Sequence, residues 1–501
     1  MFLINEAKNR RLFLLFFLII YGQTATSKET TIAFTDQYIH IQQRVYALFL
    51  DESIESISHA LKSNPNNVTG FCLLDKIHFL KSFISEKPDD LEAFARSHET
   101  IVSNLKLVDA KNPYKAYFLS ETYTHKAMLN FKTGNHYTAA LALKEAHNWL
   151  KQNQKNHPSF LPTFKNLALF ETAAAHLTEG YSWILKIVGV NTEYNKSLSI
   201  AEKFTQSSFT NEWEIFRKET AFTLAYIHRQ FLHDSKSLEI IKANTLDYAV
   251  NPLSLYFLST FSYKSGLNDA ALRYINALSP QENQIQIPFL HYLKGLCLLN
   301  KLDPSSYTSF NTYLQLYKGD NYVKSCHLKM AWSKLLINDI TGYQNSISKI
   351  ITQGKSITEE DKQAITEFNR KEIPNLILLK SRLLFDGGYY KKSLKLIMGV
   401  KASDFSSPLL QTEYCYRKAR IYDVLGEQEL AIAFYEAAIS TGKYLNAYYS
   451  AYSCIYLGDI YTLQNEKQKA REYYALAMTF KKNEEYRNSI EQHAKRGLRK
   501  L

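Results

Sequence analysis

The chain has 501 residues, 46% of them hydrophobic and 22% charged, with a formal net charge of +12. That composition excludes a disordered polar chain and supplies a large core. The bases are interspersed with acids except at Lys495, Arg496, Arg499 and Lys500, so the excess serves solubility and predicts no nucleic-acid partner.

At the N-terminus, Lys8, Arg10 and Arg11 precede an apolar run from Leu12 to Tyr21, followed by small and polar residues to Ser27. This is the pattern of a secretory signal peptide over 1–27, with a buried or frayed N-terminal helix as the alternative. The run is about half the ~20 residues that a membrane-spanning helix needs, so the mature chain is expected to carry no span. No Cys follows it, which argues against a lipid anchor. Export to the periplasm or cell envelope is the expected localisation.

Residues 28–107 have helical periodicity without a repeat and read as an N-terminal helical cap. Residues 108–210 form a helical region with a first repeat-like unit, in which Ala127 is followed by Gly134, Ala139, Leu143 and Ala146. Residues 211–480 carry the clearest repeats, and 481–501 read as a C-terminal capping helix whose Tyr486, Ile490 and Leu498 cover the last repeat. Pro113, Pro158, Pro162, Pro252, Pro288 and Pro374 mostly stand just before apolar-periodic stretches, as helix-initiating prolines do. Between Thr352 and Asp361, Gly354 and the run Thr358-Glu359-Glu360-Asp361 predict a polar loop inserted into the array.

Two neighbouring segments establish the repeat. Ala419, Tyr422, Gly426, Ala431, Tyr435 and Ala438 recur 39 residues later as Gly458, Tyr461, Asn465, Ala470, Tyr474 and Ala477, at identical internal offsets. Small residues stand where two antiparallel helices touch, and aromatic residues fill the gaps between them. The pattern resembles the tetratricopeptide repeat. Walking upstream, Ser381, Gly295, Ser259 and Ala225 head further units, with a one-residue slip around Pro304 and a weaker unit near Ala331 and Trp332. The fold expected is all-α, a tetratricopeptide-repeat-like α-solenoid of antiparallel helix pairs.

The stretch Asn112 to Tyr123, with Asn153 to Pro162, Tyr181 to Lys186 and Val188-Gly189-Val190, resembles a family of exported tetratricopeptide-repeat proteins of Bacteroidota. Trp183 to Gly189 is also similar to the tetratricopeptide-repeat protein 39 group. The resemblance implies an all-helical solenoid and no reaction.

The expectation is a non-enzymatic protein, with an α-helical enzyme as a further alternative that the absent motifs disfavour. The chain contains no H-E-x-x-H, G-x-S-x-G or P-loop signature, and its fourteen histidines are dispersed, so no catalytic, cofactor or metal site is expected. Cys72, Cys297, Cys326, Cys415 and Cys454 lie within helical patterns and read as buried free thiols; a Cys415–Cys454 disulfide is the alternative. Glu359, Glu360 and Asp361 form the densest acidic run, and Glu121 and Glu171 are weaker acid candidates. What stands out is 35 Tyr and 29 Phe. In the geometry implied by the resemblance, the first helix of each pair lines a concave groove at defined positions around the small marker residue. Those positions place Phe222, Tyr226, Arg229, Tyr256, Tyr263, Tyr292, Arg382, Tyr416 and Arg420 on the groove, or else in helix-on-helix packing. Tyr gives broad contact at low entropic cost, and Arg grips carboxylates at two points. The expectation is a scaffold of the bacterial envelope that binds a protein or peptide; the alternative is a glycan-binding accessory protein of an outer-membrane nutrient-uptake system.

Overall fold

A computed structural model of the protein describes residues 29–177, 179–210, 212–244, 251–480 and 486–501. The expected signal peptide lies outside the described residues. Among those residues the chain is helical, with one isolated bridge between Thr31 and Asn67 and no strand, and no helix is long and apolar enough to cross a membrane.

Four helices open the fold: α1 (Asp36–Tyr46), α2 (Leu50–Ser63), α3 (Thr69–Ser85) and α4 (Pro88–Lys106). A long antiparallel pair follows, α5 (Pro113–Lys132) and α6 (His136–Asn156), then α7 (Thr163–Ala175), α8 (Ser182–Val188) and α9 (Asn195–Gln206). Helix pairs then stack in sequence: α10 (Glu212–Ile227) with α11 (Lys236–Asn244), α12 (Pro252–Lys264) with α13 (Asn268–Ala277), and α14 (Phe289–Asn300) with α15 (Ser306–Leu316). Next come α16 (Val323–Leu336), α17 (Ile340–Ile347), the short α18 (Lys349–Thr352) and α19 (Glu359–Asn369). The last pairs are α20 (Leu376–Asp386) with α21 (Tyr390–Ile397), α22 (Pro408–Leu425) with α23 (Gln428–Gly442), and α24 (Tyr449–Leu463) with α25 (Lys467–Thr479). Helix α26 (Arg487–Lys500) packs on α24 and α25 and closes the array. The architecture is the expected all-α solenoid.

The small-and-large pattern has a direct steric cause. A Cβ added at Gly458 would meet the Tyr474 ring at 2.6 Å, and one at Gly295 would meet the Phe310 ring at 2.7 Å. The marker residue is small because an aromatic ring from the second helix sits on it. Seven residues after the marker, the turn between the helices needs a left-handed backbone. That position has positive φ at Gly134, Gly266, Leu302, Asn338, Gly388, Gly426 and Asn465. Asn338 confirms a unit headed by Ala331. After Ala225 a five-residue π-helical turn, His228–Leu232, delays the left-handed residue to His233, so this unit is stretched by one.

The acidic run departs from the sequence expectation. Thr358 caps α19 by accepting from the Asp361 N–H at 3.1 Å, so Glu359 opens a helix rather than continuing a loop. Asp361 is fully buried and accepts from the backbone N–H groups of Tyr322 at 2.7 Å and Ser325 at 2.9 Å, at the start of α16. The five cysteines are free and buried, in line with their reading as small hydrophobes.

Candidate functional site

Three of the nine groove candidates converge. Arg382 on α20 and Tyr416 and Arg420 on α22 line one open cavity of about 200 Å³, together with Phe385, Asp386, Arg417, Tyr448, Tyr452 and Tyr486. Successive first helices of the solenoid supply most of this wall, and Tyr486, the residue before α26, completes it. Sequence reasoning did not place Arg417, Tyr448, Tyr452 or Tyr486 there. A usable signal existed: Tyr448, Tyr452 and Tyr456 recur every four residues and so share one helix face.

The three guanidinium groups differ in how they are neutralised. Arg417 is bound by Glu413, whose carboxyl burial alone would push up; the guanidinium outweighs that and holds it below the ordinary carboxylate range. Arg382, with its side chain 12% exposed, reaches Glu367 at 3.4 Å and Asp386 at 3.9 Å and lies over the Trp332 ring at 4.9 Å. Arg420 has no carboxylate within 4.0 Å among the described residues. It lies over the rings of Phe385 at 4.9 Å and Tyr456 at 4.0 Å. It donates to the phenol oxygens of Tyr456 and, at 3.4 Å, Tyr416, while its buried Nε has no hydrogen-bond partner. Burial pushes the Tyr452 phenol up to about 12 and Tyr448 higher, so both remain neutral hydroxyls that can donate as well as accept. Burial raises the Asp423 carboxyl pKa, and Arg420 is near enough to pull against it. The cavity therefore presents a guanidinium that no carboxylate among the described residues contacts directly, beside Asp386 and within a frame of phenols.

The remaining groove candidates do not join this cluster. Tyr292 is core: only 2% exposed, it shares a hydrogen bond with Ser325 Oγ at 2.8 Å and packs against Phe289, Phe310 and Tyr313. Phe222 packs on Phe257 at 4.9 Å, and Tyr256 sits edge-on to Phe257 and Phe289. Tyr263 is packed beside Ala271, Leu272 and Cys297. Tyr226 is the most open of the set at 43% exposed, and Arg229 donates to the carbonyl of Lys264.

The weaker acid candidates are structural in their contacts. Glu121 is buried, accepting from Lys165 Nζ at 2.7 Å and from Asn166. Burial raises its pKa, but Lys165, His125 and Lys76 more than offset that and bring it to about 2. Lys165 also reaches Glu219 at 3.1 Å, and Glu219 accepts from Lys76, Tyr46, Gln42 and Tyr117 as well. This network ties α1, α3, α5, α7 and α10 together and has few lone pairs left for chemistry. Glu171 is held up by burial, and one of its carboxylate oxygens is unpartnered.

The model of the tetratricopeptide repeat matches residues 412–441, most of α22 together with nearly all of α23. The chain therefore contains a tetratricopeptide repeat within an all-α solenoid of similar helix pairs. No curated protein matches it. Among solved structures it is similar to the human IFIT1 dimer with m7Gppp-AAAA, at 14% identity and a TM-score of 0.37, covering 82% of this chain and 91% of that one. The human IFIT1 dimer with PPP-AAAA gives 12% identity and a TM-score of 0.36, covering 82% and 95%. A monomeric IFIT1 mutant with Gppp-AAAA gives 12% and 0.37, covering 80% and 88%.

Proposed function

We propose that this protein is a non-enzymatic scaffold that binds a protein or peptide segment along its inner wall, and that the Arg–Tyr cavity receives an acidic side chain of that segment. The observation that carries the reading is Arg420, a half-buried guanidinium beside a cavity wide enough for a carboxylate. Among the described residues its buried Nε has no hydrogen-bond partner, and no carboxylate is in direct contact with it. An uncompensated charge away from water is costly, and an incoming anion relieves that cost. Phenols from Tyr416, Tyr448, Tyr452 and Tyr486 add adaptable hydrogen-bond partners and flat contact area. The leader-like N-terminus supports export and a place in the bacterial envelope, among exported repeat proteins like those of Bacteroidota. The glycan-binding alternative draws on the same ring-lined wall, since stacked phenols also suit a sugar chain.

A display library of random peptides selected against the full chain tests this. Acidic sequences should be enriched. Arg420→Gln should weaken the best of them by about tenfold to a hundredfold, the equivalent of losing one charged hydrogen bond of ~1.5–3 kcal/mol. Enrichment of neutral peptides unaffected by Arg420→Gln would reject the assignment, and binding of envelope oligosaccharides alone would favour the glycan reading.

A further inference from the structure

A second cavity lies far from the Arg–Tyr site in sequence and rests on different observations. It measures about 600 Å³ and is enclosed on one side by α4 and α5 and on the other by Lys318, Gly319, Asp320, Lys355 and Ile357. That is within the usual range for a small-molecule site. Its apolar lining is Leu91, Phe94, Leu129 and Ile357, with the exposed Pro88 and Ala95 at the rim.

Its charged and titratable groups are acids, lysines and one histidine; Lys318, at the exposed edge, donates to the Gln315 carbonyl at 2.8 Å. The acids are already engaged: Glu86 binds Lys132 at 2.7 Å and Asn321 at 2.7 Å, and Asp320 binds Lys355 at 2.8 Å. Lys126 is only loosely matched, 3.7 Å from Glu99, which is itself 78% exposed. His98 is the exception to normal packing. It is 2% exposed, lines the cavity, stands edge-on to Tyr123, and neither ring nitrogen has a hydrogen-bond partner. Burial, reinforced by Lys126, pushes its pKa down to about 4, so at neutral pH the ring holds one N–H donor and one acceptor, both unused. A buried polar group with no protein partner is satisfied by a water, an ion or a ligand.

We propose that this cavity binds a small amphipathic carboxylate, with its apolar body on Leu91, Phe94, Leu129 and Ile357 and its head received by Lys126 and the His98 N–H. Such a ligand satisfies the loosely paired Lys126 and the orphaned imidazole together, whereas water would leave the apolar side chains wetted. Since the cavity is walled by segments more than 180 residues apart, occupancy also holds those segments together.

The probe is decanoate, short enough to lie within the cavity, titrated calorimetrically into the full chain beside decan-1-ol. Decanoate should bind at least tenfold more tightly than the alcohol. Lys126→Met, at a half-buried surface position, should erase that preference, and Ala95→Trp, on an exposed face of α4, should fill the cavity and abolish binding. Circular dichroism of both variants checks that they are folded. The proposal fails if decanoate does not bind, if the alcohol binds as well, or if folded Ala95→Trp binds decanoate like the wild type.

Discussion

At the scale of single residues, Gly458 shows how strictly the repeat is set by sterics. Ala419 occupies the equivalent place in the preceding unit, in one buried cluster with Tyr435, whereas a Cβ at Gly458 would come to 2.6 Å from the Tyr474 ring. Tyr474 is pinned in turn, since its hydroxyl donates to Asp459 at 2.7 Å and Gly497 of α26 also crowds its ring. The ring has no free direction in which to retreat. Gly458→Ala should therefore destabilise the chain by about 1–3 kcal/mol through overpacking, despite the better helix propensity of Ala. Urea unfolding checks this, and a neutral or stabilising effect would mean that the ring moves freely. Residue chemistry of this kind was legible in the sequence, because a small marker followed sixteen places later by an aromatic is a local pattern. The partition of the groove candidates was not. Tyr292 and Tyr416 occupy the same repeat position, yet Tyr292 is sealed in by Tyr322 at 5.1 Å, while Tyr416 borders an opening. What lies beside a tyrosine depends on the next turn of the solenoid, which a repeat register does not encode.

At the scale of elements, the inserted segment between α18 and α20 carries the clearest lesson. Acidic residues beside a glycine read as a solvated loop, but the same four residues contain a helix-start signature, Thr358 three places before Asp361. The structure uses both halves of it. Thr358 starts α19, and Asp361 turns inward to accept from the Tyr322 and Ser325 N–H groups, which α16 cannot satisfy within itself. A negative charge at that helix start is also favoured by the helix dipole. Asp361→Ala should cost about 1–2 kcal/mol, as the loss of a helix cap does. Amide exchange should quicken first at Tyr322 and Ser325; unchanged protection there would show that water replaces the carboxylate without penalty. The sequence signal lay in the spacing, and the burial that gives it meaning came from the packing of α19 on α16.

At the scale of the whole molecule, the solenoid is wound tightly enough for distant units to touch, which separates it from an open repeat array. The Gln284 side chain donates to the Ala47 carbonyl at 2.7 Å and the Ile285 N–H to that of Leu48 at 3.0 Å. Near the other end, Arg499 on α26 donates to the Ala175 carbonyl at 2.7 Å, across 324 residues. The Glu86 contact is the most dependent on its surroundings. Glu86 sits in a left-handed backbone conformation at the end of α3, buried between Lys132 and Asn321, and Gly319 leaves it no spare room. In an open solenoid each unit feels only its neighbours, and terminal units fray independently. Contacts across turns remove that independence and make the N-terminal helices unfold with the middle of the chain. Removing Glu86 leaves the half-buried Lys132 ammonium without its carboxylate, though still bonded to the Phe83 carbonyl, so the cost falls below that of a fully buried pair, at about 1–3 kcal/mol. Glu86→Ala should therefore lower the urea midpoint and also split a single transition into two, with hydrogen exchange showing α3 and α4 opening before α22 to α25. A uniform shift of one transition would mean that the turns are coupled elsewhere, through the Ala47–Gln284 contact, and Glu86→Ala combined with Gln284→Ala would then be the variant that separates them.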